Sequence, residues 1–323
     1  EWGGGFVLSE QHQHCVRSVE ARGGLVLAGG ANLYMIRPGA TTIGMCPPPE
    51  ELGPVHVVAV EPRGARRYAT ACGEVFAVFV GLGKDEQILQ IDSQITRPGS
   101  RFTHLAWGGA TGPCALWARR DDGRLFRIKP DISGALAVPV GPVDALASDD
   151  AGGIALVSLV EGAQRVFVTR DGREMNYRSI EPEIRPGASV EIAVAGMAAA
   201  LVVDRRYVLL SRRPDEPFAR VQALELVEDP PFTLGPIAFQ GTSSDAALFC
   251  AQRESTGTRV VRVAASGEAM STFVMFQRDD SAPPEVGALS WDATRQTLWG
   301  VGPDAGLFMS TAPGAKGRRF SLS

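Results

Sequence analysis

The chain has 323 residues, 45% of them hydrophobic and 21% charged, with a formal net charge of −4, a balance typical of a globular protein. Because nucleic-acid binding needs a basic face, this acidic balance gives no reason to expect a nucleic-acid partner. No stretch approaches the about 18 apolar residues of a transmembrane helix, so no membrane partner is expected either. All but three of the 32 cationic residues are arginine, which we interpret as the mark of a GC-rich bacterial genome.

Residues 1–14 are predicted to be either an N-terminal tail or a closing strand, for which Phe6–Leu8 is the candidate. The sequence begins at Glu1 and not at methionine, which we interpret as a domain cut from a larger protein; a processed chain is the alternative. His12, His14 and Cys15 have the residue types of metal ligands, but no fourth ligand is evident, so no metal site is predicted.

Residues 15–323 contain short apolar runs separated by Gly, Pro and Asp, which is typical of antiparallel β-meanders. Two positions recur seven times. The first is a small residue in the opening run of each unit, at Ser18, Ala59, Ala106, Ala147, Ala193, Ala238 and Ser290. The second is an aromatic residue, once replaced by valine, in the third run, at Tyr34, Phe76, Phe126, Phe167, Tyr207, Val260 and Phe308. Successive small residues are 41 to 52 positions apart.

A repeat of this length with four strands resembles a β-propeller blade. We therefore predict an all-β fold, a single domain over residues 15–323 that forms a seven-bladed β-propeller with four antiparallel strands per blade. Met197–Arg213 contains neither Gly nor Pro and has the composition of a helix, but the repeat register favours two strands around Asp204–Arg206. We expect residues 319–323 to provide the last strand of blade seven and so to close the ring.

The resemblance is to the propeller superfamily and to no particular family within it. Trp291-Asp292 looks like the dipeptide of WD40 repeats, but it ends the first run and not the third. Two units, around Trp117 and Trp299, are similar to tectonin-type lectin repeats, in which a tryptophan strand precedes Gly-x-aromatic.

The connections that enter blades two to seven all contain proline, which fixes φ and stiffens a loop. We predict that they form a partner-binding rim, whose candidate residues are Arg97, Pro98, Arg185, Pro186, Pro230 and Pro283. Alternatively, the prolines only end outer strands, and the arginines pair with acids such as Glu181 and Glu183. Arg124 and Arg173 are expected on the opposite face.

Two histidines, His56 and His104, shortly precede the small residue of their first runs and are channel-facing candidates; hydrogen-bonded scaffold histidines are the alternative. The paired acids Asp121-Asp122, Asp149-Asp150 and Asp279-Asp280 are interpreted as turn residues. No nucleophile elbow, phosphate loop or His-Glu-x-x-His motif occurs, so neither a catalytic residue nor a cofactor is predicted.

The favoured function is a non-catalytic scaffold for protein–protein interaction, one module of a larger bacterial regulatory or defence protein. One alternative is a glycan- or small-ligand-binding propeller, for which Trp107, Trp117 and Trp299 are the expected exposed tryptophans. A second is a hydrolase or lyase, which would need carboxylates and histidine clustered at a channel mouth. The five cysteines contain no Cys-x-x-Cys pair and are expected to be reduced in the cytoplasm, with Cys72, Cys114 and Cys250 buried in second strands.

Overall fold

The structure is a computed structural model that describes most of the chain. The described residues are 1–8, 16–48, 50, 53–62, 67–80, 87–90, 99–109, 114–129, 133–169, 176–180, 184–185, 187–224, 233–255, 257–276, 284–302, 306–315 and 320–322. Within them the secondary structure is almost entirely β, with 29 strands and one short 3-10 helix over Gln222–Leu224.

The strands form seven separate sheets, one per blade; within each blade consecutive strands pair antiparallel, and only the two chain ends depart from chain order. After β1 (Gly3–Leu8), the first four blades are built from β2 (Val16–Arg22), β3 (Leu25–Gly30), β4 (Leu33–Ile36) and β5 (Thr42–Cys46); β6 (Val55–Val60), β7 (Arg67–Cys72), β8 (Val75–Val80) and β9 (Gln87–Gln90); β10 (Phe102–Gly108), β11 (Ala115–Arg120), β12 (Leu125–Ile128) and β13 (Ala135–Ala137); β14 (Val143–Ser148), β15 (Ile154–Val160), β16 (Ala163–Thr169) and β17 (Asn176–Ser179).

The remaining blades follow the same plan. They are built from β18 (Val190–Ala195), β19 (Ala198–Val203), β20 (Tyr207–Ser211) and β21 (Ala219–Arg220); β22 (Thr233–Phe239), β23 (Leu248–Glu254), β24 (Gly257–Val263) and β25 (Ala269–Phe276); and β26 (Ala288–Asp292), β27 (Thr297–Gly302) and β28 (Gly306–Thr311), before the chain ends in β29 (Ser321–Leu322). The predicted seven-bladed all-β propeller is confirmed.

The repeat register is also confirmed, with one correction in blade one. All seven third-run residues lie on third strands, and the two strands predicted around Asp204–Arg206 are β19 and β20. In blades one to four the first strand has a β-bulge just after its first paired residue, and in blades two to four the small residue comes four positions after that residue, as Ala59 does after Val55. In blade one the same count from Val16 reaches Glu20 and not Ser18.

Ring closure differs from the prediction that residues 319–323 complete blade seven. The N-terminal strand β1 pairs antiparallel with β28 and is the outer strand of blade seven. The C-terminal strand β29 instead crosses to blade one and pairs in parallel with β5. The six residues of β1 cover the length of β28, whereas β29 contributes only two, so the longer segment occupies the open edge.

The core lies between the blades, because second and third strands are covered on both faces. All six residues of β3 are buried, as are all six of β19 and of β27. The first strands run side by side along the central channel. We call the side where the chain enters each first strand the entry face; it also carries the turns between second and third strands. The opposite side, where first strands end, is the far face.

Candidate functional site

The central channel contains a polar cavity of about 200 Å³ near the far face. First strands of six blades line it, and most of its exposed wall is polar. The charged side chains of the lining come from two opposite sides of the ring, and Ser290 of blade seven is a further polar residue. Blade one contributes Glu20 and Arg22, and blade four contributes Ser148, Asp149 and Asp150.

Arg22 connects blade one to blade four across this cavity. Its Nη1 donates to the backbone oxygen of Asp149 at 2.9 Å, and its Nη2 donates to the backbone oxygen and Oγ of Ser148 at 2.7 and 2.8 Å. Its Nε lies 2.7 Å from a carboxylate oxygen of Glu20 and 3.5 Å from one of Asp150. Both carboxylates therefore depend on the same buried guanidinium for neutralisation.

Glu20 occupies the register at which the other blades have alanine or serine, so it places a carboxyl group in the channel. Burial raises the pKa of Glu20 to about 6, although Arg22 and a hydrogen bond from the Val60 backbone N–H oppose the shift. Burial likewise raises the pKa of Asp150, against the opposing effect of Arg22. Two carboxyls with raised pKa values on one arginine form the main titratable group of the cavity.

Asp149 and Asp292 connect neighbouring blades at the far face. Asp149 accepts hydrogen bonds from Ala151 and Gly153 in its own turn, and from the Gly196 N–H of the next blade at 2.8 Å. Asp292 does the same in blade seven, where it accepts from Thr294 and Arg295 at 2.9 and 3.3 Å.

The link from Asp292 to the next blade is a hydrogen bond from the Gly24 N–H of blade one, at 3.3 Å. Both acids lie two positions after the small residue of their first strand, Ala147 or Ser290. The turn role predicted for Asp149 is correct, but the link between blades was missed. A sequence pattern could have indicated this link between blades. Aspartate stands two positions after the small residue of the first strand, and glycine stands in the turn after the first strand of the following blade.

The two candidate histidines do not line this cavity. His56 Nε2 lies 2.7 Å from the backbone oxygen of Phe102, a hydrogen bond from blade two to blade three. His104 Nδ1 lies 3.1 Å from Thr103 Oγ1, and burial, with a smaller effect of Arg119, lowers its pKa to about 4. Both contacts suit a scaffold role, while a role at the other end of the channel stays a prediction.

Of the six predicted rim residues, Arg185 alone lies within the described residues. Its guanidinium pairs with Asp204 at 2.8 Å, and Asp204 also accepts the Ser189 N–H at 3.0 Å. Arg185 therefore has an acid partner, although not one of the two expected. Five rim candidates lie outside the described residues: Arg97, Pro98, Pro186, Pro230 and Pro283. Glu181, Glu183 and Arg173 lie outside them too.

The entry to blade two is the part of the rim that the structure describes best. A pocket of about 460 Å³ opens there between blades one and two. Pro47, Pro48 and Pro54 form its apolar wall, and Arg17 and Glu50 provide charged groups. A stiff, mostly apolar pocket with two charged groups can hold one side chain of a partner.

Two expectations about exposed residues were wrong. Arg124 lies in the turn between β11 and β12, and the backbone of that turn bonds to Arg101 and Val143 at the entries of blades three and four. It therefore belongs to the entry face and not to the opposite one. The three tryptophans expected to be exposed are all buried, with Trp107 and Trp117 at 1% and Trp299 at 0%.

The described residues contain no group of three or more His, Cys, Asp and Glu arranged to hold a metal ion. The triplet His12, His14 and Cys15 lies outside them. The same described part of the chain includes no helix that is long and apolar enough to cross a membrane.

Comparison with known proteins gives the fold. The chain matches no protein-family model and no curated protein sequence. Among solved structures it is similar to U3-55K, with a TM-score of 0.66, 11% identity, and coverage of 96% of this chain and 98% of that one. It is also similar to the WD40 repeats of RRP9, with a TM-score of 0.64, 11% identity and coverage of 95% and 97%. YCF48 bound to D1 peptide matches with a TM-score of 0.64, 12% identity and coverage of 98% and 97%. The chain is a seven-bladed β-propeller similar in fold to WD40 propeller domains.

Proposed function

We propose that this chain is a non-catalytic scaffold that binds a protein partner on its entry face, as one module of a larger bacterial regulatory or defence protein in the reducing cytoplasm. The observation that carries the proposal is the pocket of about 460 Å³ between blades one and two. Its three prolines hold the backbone in place, so that less conformational entropy is lost when a partner binds than in a Gly-rich loop.

The far-face cavity gives less support to the hydrolase or lyase alternative. It contains the carboxylates that this alternative needs, but neither His56 nor His104, the histidines of the described first strands, lines it. Glu20 and Asp150 share Arg22, and Asp149 accepts three backbone N–H groups. These contacts use the acids to hold blades together, which suits a rigid platform.

The glycan-binding alternative is not supported by its candidate residues. Stacking on sugars needs exposed aromatic faces, and Trp107, Trp117 and Trp299 are buried. A protein partner has support from a structural neighbour, since YCF48 is bound to a peptide. The net charge of −4 adds nothing in favour of nucleic acid.

The proposal is tested by partner capture with charge-removal variants of the two faces. Arg97→Ala/Arg185→Ala removes the two cations of the predicted entry rim, and Lys129→Ala/Arg213→Ala removes two exposed cations from the far face. The Arg185–Asp204 pair is mostly solvent-exposed on its arginine side, so its loss should cost less than about 1 kcal/mol of folding stability.

Each variant is first shown to melt like the wild type and is then used as bait in lysate of the native host. We expect the rim variant to lose at least one partner that the wild type and the far-face variant both capture. The entry face is the wrong face if the rim variant keeps every partner and the far-face variant loses one. If the wild type captures no protein, the scaffold proposal itself fails.

A further inference from the structure

In the seam between blades seven and one the chain packs its own Phe320 against the side of blade seven. The ring of Phe320 lies edge to face with Trp299 at 5.7 Å and borders the same cavity as Met309. The guanidinium of Arg295 lies over the same ring at 5.6 Å. Directly after Phe320 the chain becomes β29 and extends the sheet of blade one. The segment thus binds through one aromatic anchor followed by an added strand.

Blade one repeats the row of residues that includes Trp299, the residue on which Phe320 packs. In blade seven the residues that face one another across the four strands are Ser290, Trp299, Met309 and Gly5. In blade one the residues at the same register are Glu20, Leu27, Met35 and Gly44. Residues opposite one another in a sheet project from the same face. In both blades a third-strand methionine is therefore next to a glycine that has no side chain to cover it.

The second row borders a groove of about 560 Å³ between blades one and two. Leu33 and Met35 line one wall, and Tyr68 and Phe79 line the other, with their rings stacked at 4.6 Å. None of the described side chains fills the space. At its opening, Met45 is 51% exposed.

Gly44 keeps this groove open without being needed for the fold. A Cβ atom added there would meet only the backbone oxygen of Met35, at 3.7 Å, which is an ordinary contact. In blade three the residue at the same register is Leu136, which lies opposite Arg127 on the outer strand. A leucine is therefore compatible with this position of a blade, and Gly44→Leu should fold.

We propose that the groove between blades one and two binds an extended segment of a partner protein through one large apolar side chain, as the preceding seam binds Phe320. The residues after the anchor would pair with the outer edge of blade two, as β29 pairs with blade one. Arg37 is exposed beside the groove and favours an acidic residue near the anchor. This inference rests on the proposed scaffold function and adds a binding position for that partner.

The experiment measures fluorescence polarisation of a fluorescein-labelled peptide, Gly-Gly-Phe-Ser-Leu-Asp, with the full chain. We expect it to bind at least about tenfold more tightly than Gly-Gly-Ser-Ser-Leu-Asp, because the anchor contributes most of the affinity. Gly44→Leu should weaken the phenylalanine peptide at least about tenfold. Gly134→Leu is the matched control, since a Cβ there also meets open space, and it should bind like the wild type.

Met35→Gln provides a second test that adds no bulk, and it should weaken the same peptide. The proposal is overturned if both peptides bind equally or if Gly44→Leu leaves the affinity unchanged; the latter would place the peptide in the seam of Phe320. It is also overturned if sedimentation shows a dimer that Gly44→Leu dissociates, because the occupant would then be a second copy. If the peptide does not bind but the wild type still captures a partner, the groove is not the binding position, whereas the scaffold function is unaffected.

Discussion

Arg22 is the residue whose loss should destabilise the ring most through electrostatics. Methionine keeps the unbranched aliphatic stem of the side chain but removes the guanidinium that crosses the channel. Glu20 and Asp150 would then lack the cation that neutralises them. The acceptors of Ser148 and Asp149 in blade four would lose three hydrogen bonds.

The size of the effect follows from burial. Arg22 is 7% exposed, so solvent screens these contacts weakly. Removal of one partner of a buried ion pair costs about 3–5 kcal/mol, because the other charge stays behind unpaired. We therefore expect Arg22→Met to lower the free energy of unfolding by about 4 kcal/mol at pH 8. For a chain of this size that corresponds to a fall in Tm of roughly 6 °C.

The cost should depend on pH with a definite sign. In the folded wild type the pKa of Glu20 is about 6, above its ordinary value of 4.5, and Arg22 opposes that rise. Without Arg22 the folded-state pKa rises further, so the variant pays for an unpaired carboxylate only when the pH is high enough to ionise it. The destabilisation should be smaller at pH 5 than at pH 8 by at least about 1 kcal/mol, which is roughly one pKa unit.

Urea unfolding followed by tryptophan fluorescence measures both quantities. Arg22→Met/Glu20→Ala is the companion variant, because it restores the alanine that most of the other blades carry, and it should recover about 2 kcal/mol at pH 8. Arg124→Ala, an exposed arginine, should change stability by less than about 0.5 kcal/mol. The reasoning is refuted if Arg22→Met unfolds at the wild-type urea concentration at pH 8, or if its cost is the same at pH 5.

Two further predictions concern thiols and ring closure. Mass-spectrometric mapping of native-state alkylation should find rapid labelling of the exposed Cys46 and slow labelling of three buried thiols, Cys72, Cys114 and Cys250. Burial also raises the pKa of Cys72 and Cys250, which lowers the reactive thiolate fraction; fast labelling of the three without denaturant would contradict their burial. Deletion of residues 1–8 should lower Tm at least about twice as much as deletion of 320–323, because β1 covers β28 along most of its length whereas β29 pairs through two residues. Equal effects of the two deletions would contradict the closure by β1.

The fold was predictable because its signals are local and repeated. A small residue such as Ala106 recurs in each first strand, since the strands converge on the channel. An aromatic residue such as Phe126 recurs in the third strand, between two blades. Six copies of each signal in seven units allow a register to be read even where the remaining unit departs from it. In blade one the predicted position was wrong, because Ser18 is the small residue but Glu20 has the corresponding register.

The parts that were not predictable depend on contacts between distant positions. Glu20 can occupy a channel position because Arg22 neutralises it and is in turn held by Ser148, 126 residues away. Sequence spacing gives no sign of that contact. Ring closure was unpredictable for a similar reason. Both β1 and the C-terminal segment have alternating apolar residues, and either could pair with the open edge of blade seven. In the structure β1, with six residues, occupies that edge, and β29, with two, does not. Trp299 has a lectin-like local pattern, but its exposure depends on Phe320 and on the neighbouring blade.

The two ends of the channel therefore differ in what they leave free for binding. At the far face, the side chains of Arg22, Asp149 and Asp292 are occupied by contacts that join one blade to another. A partner that used these groups would have to break links of the ring itself, at a cost of several kcal/mol for a buried charge. At the entry face, the one ion pair of Arg185 within the described residues is with Asp204; its arginine is mostly exposed, so a partner can displace it at small cost. This difference in cost, and not the number of charged residues at either mouth, is why the entry face is the better candidate for a partner.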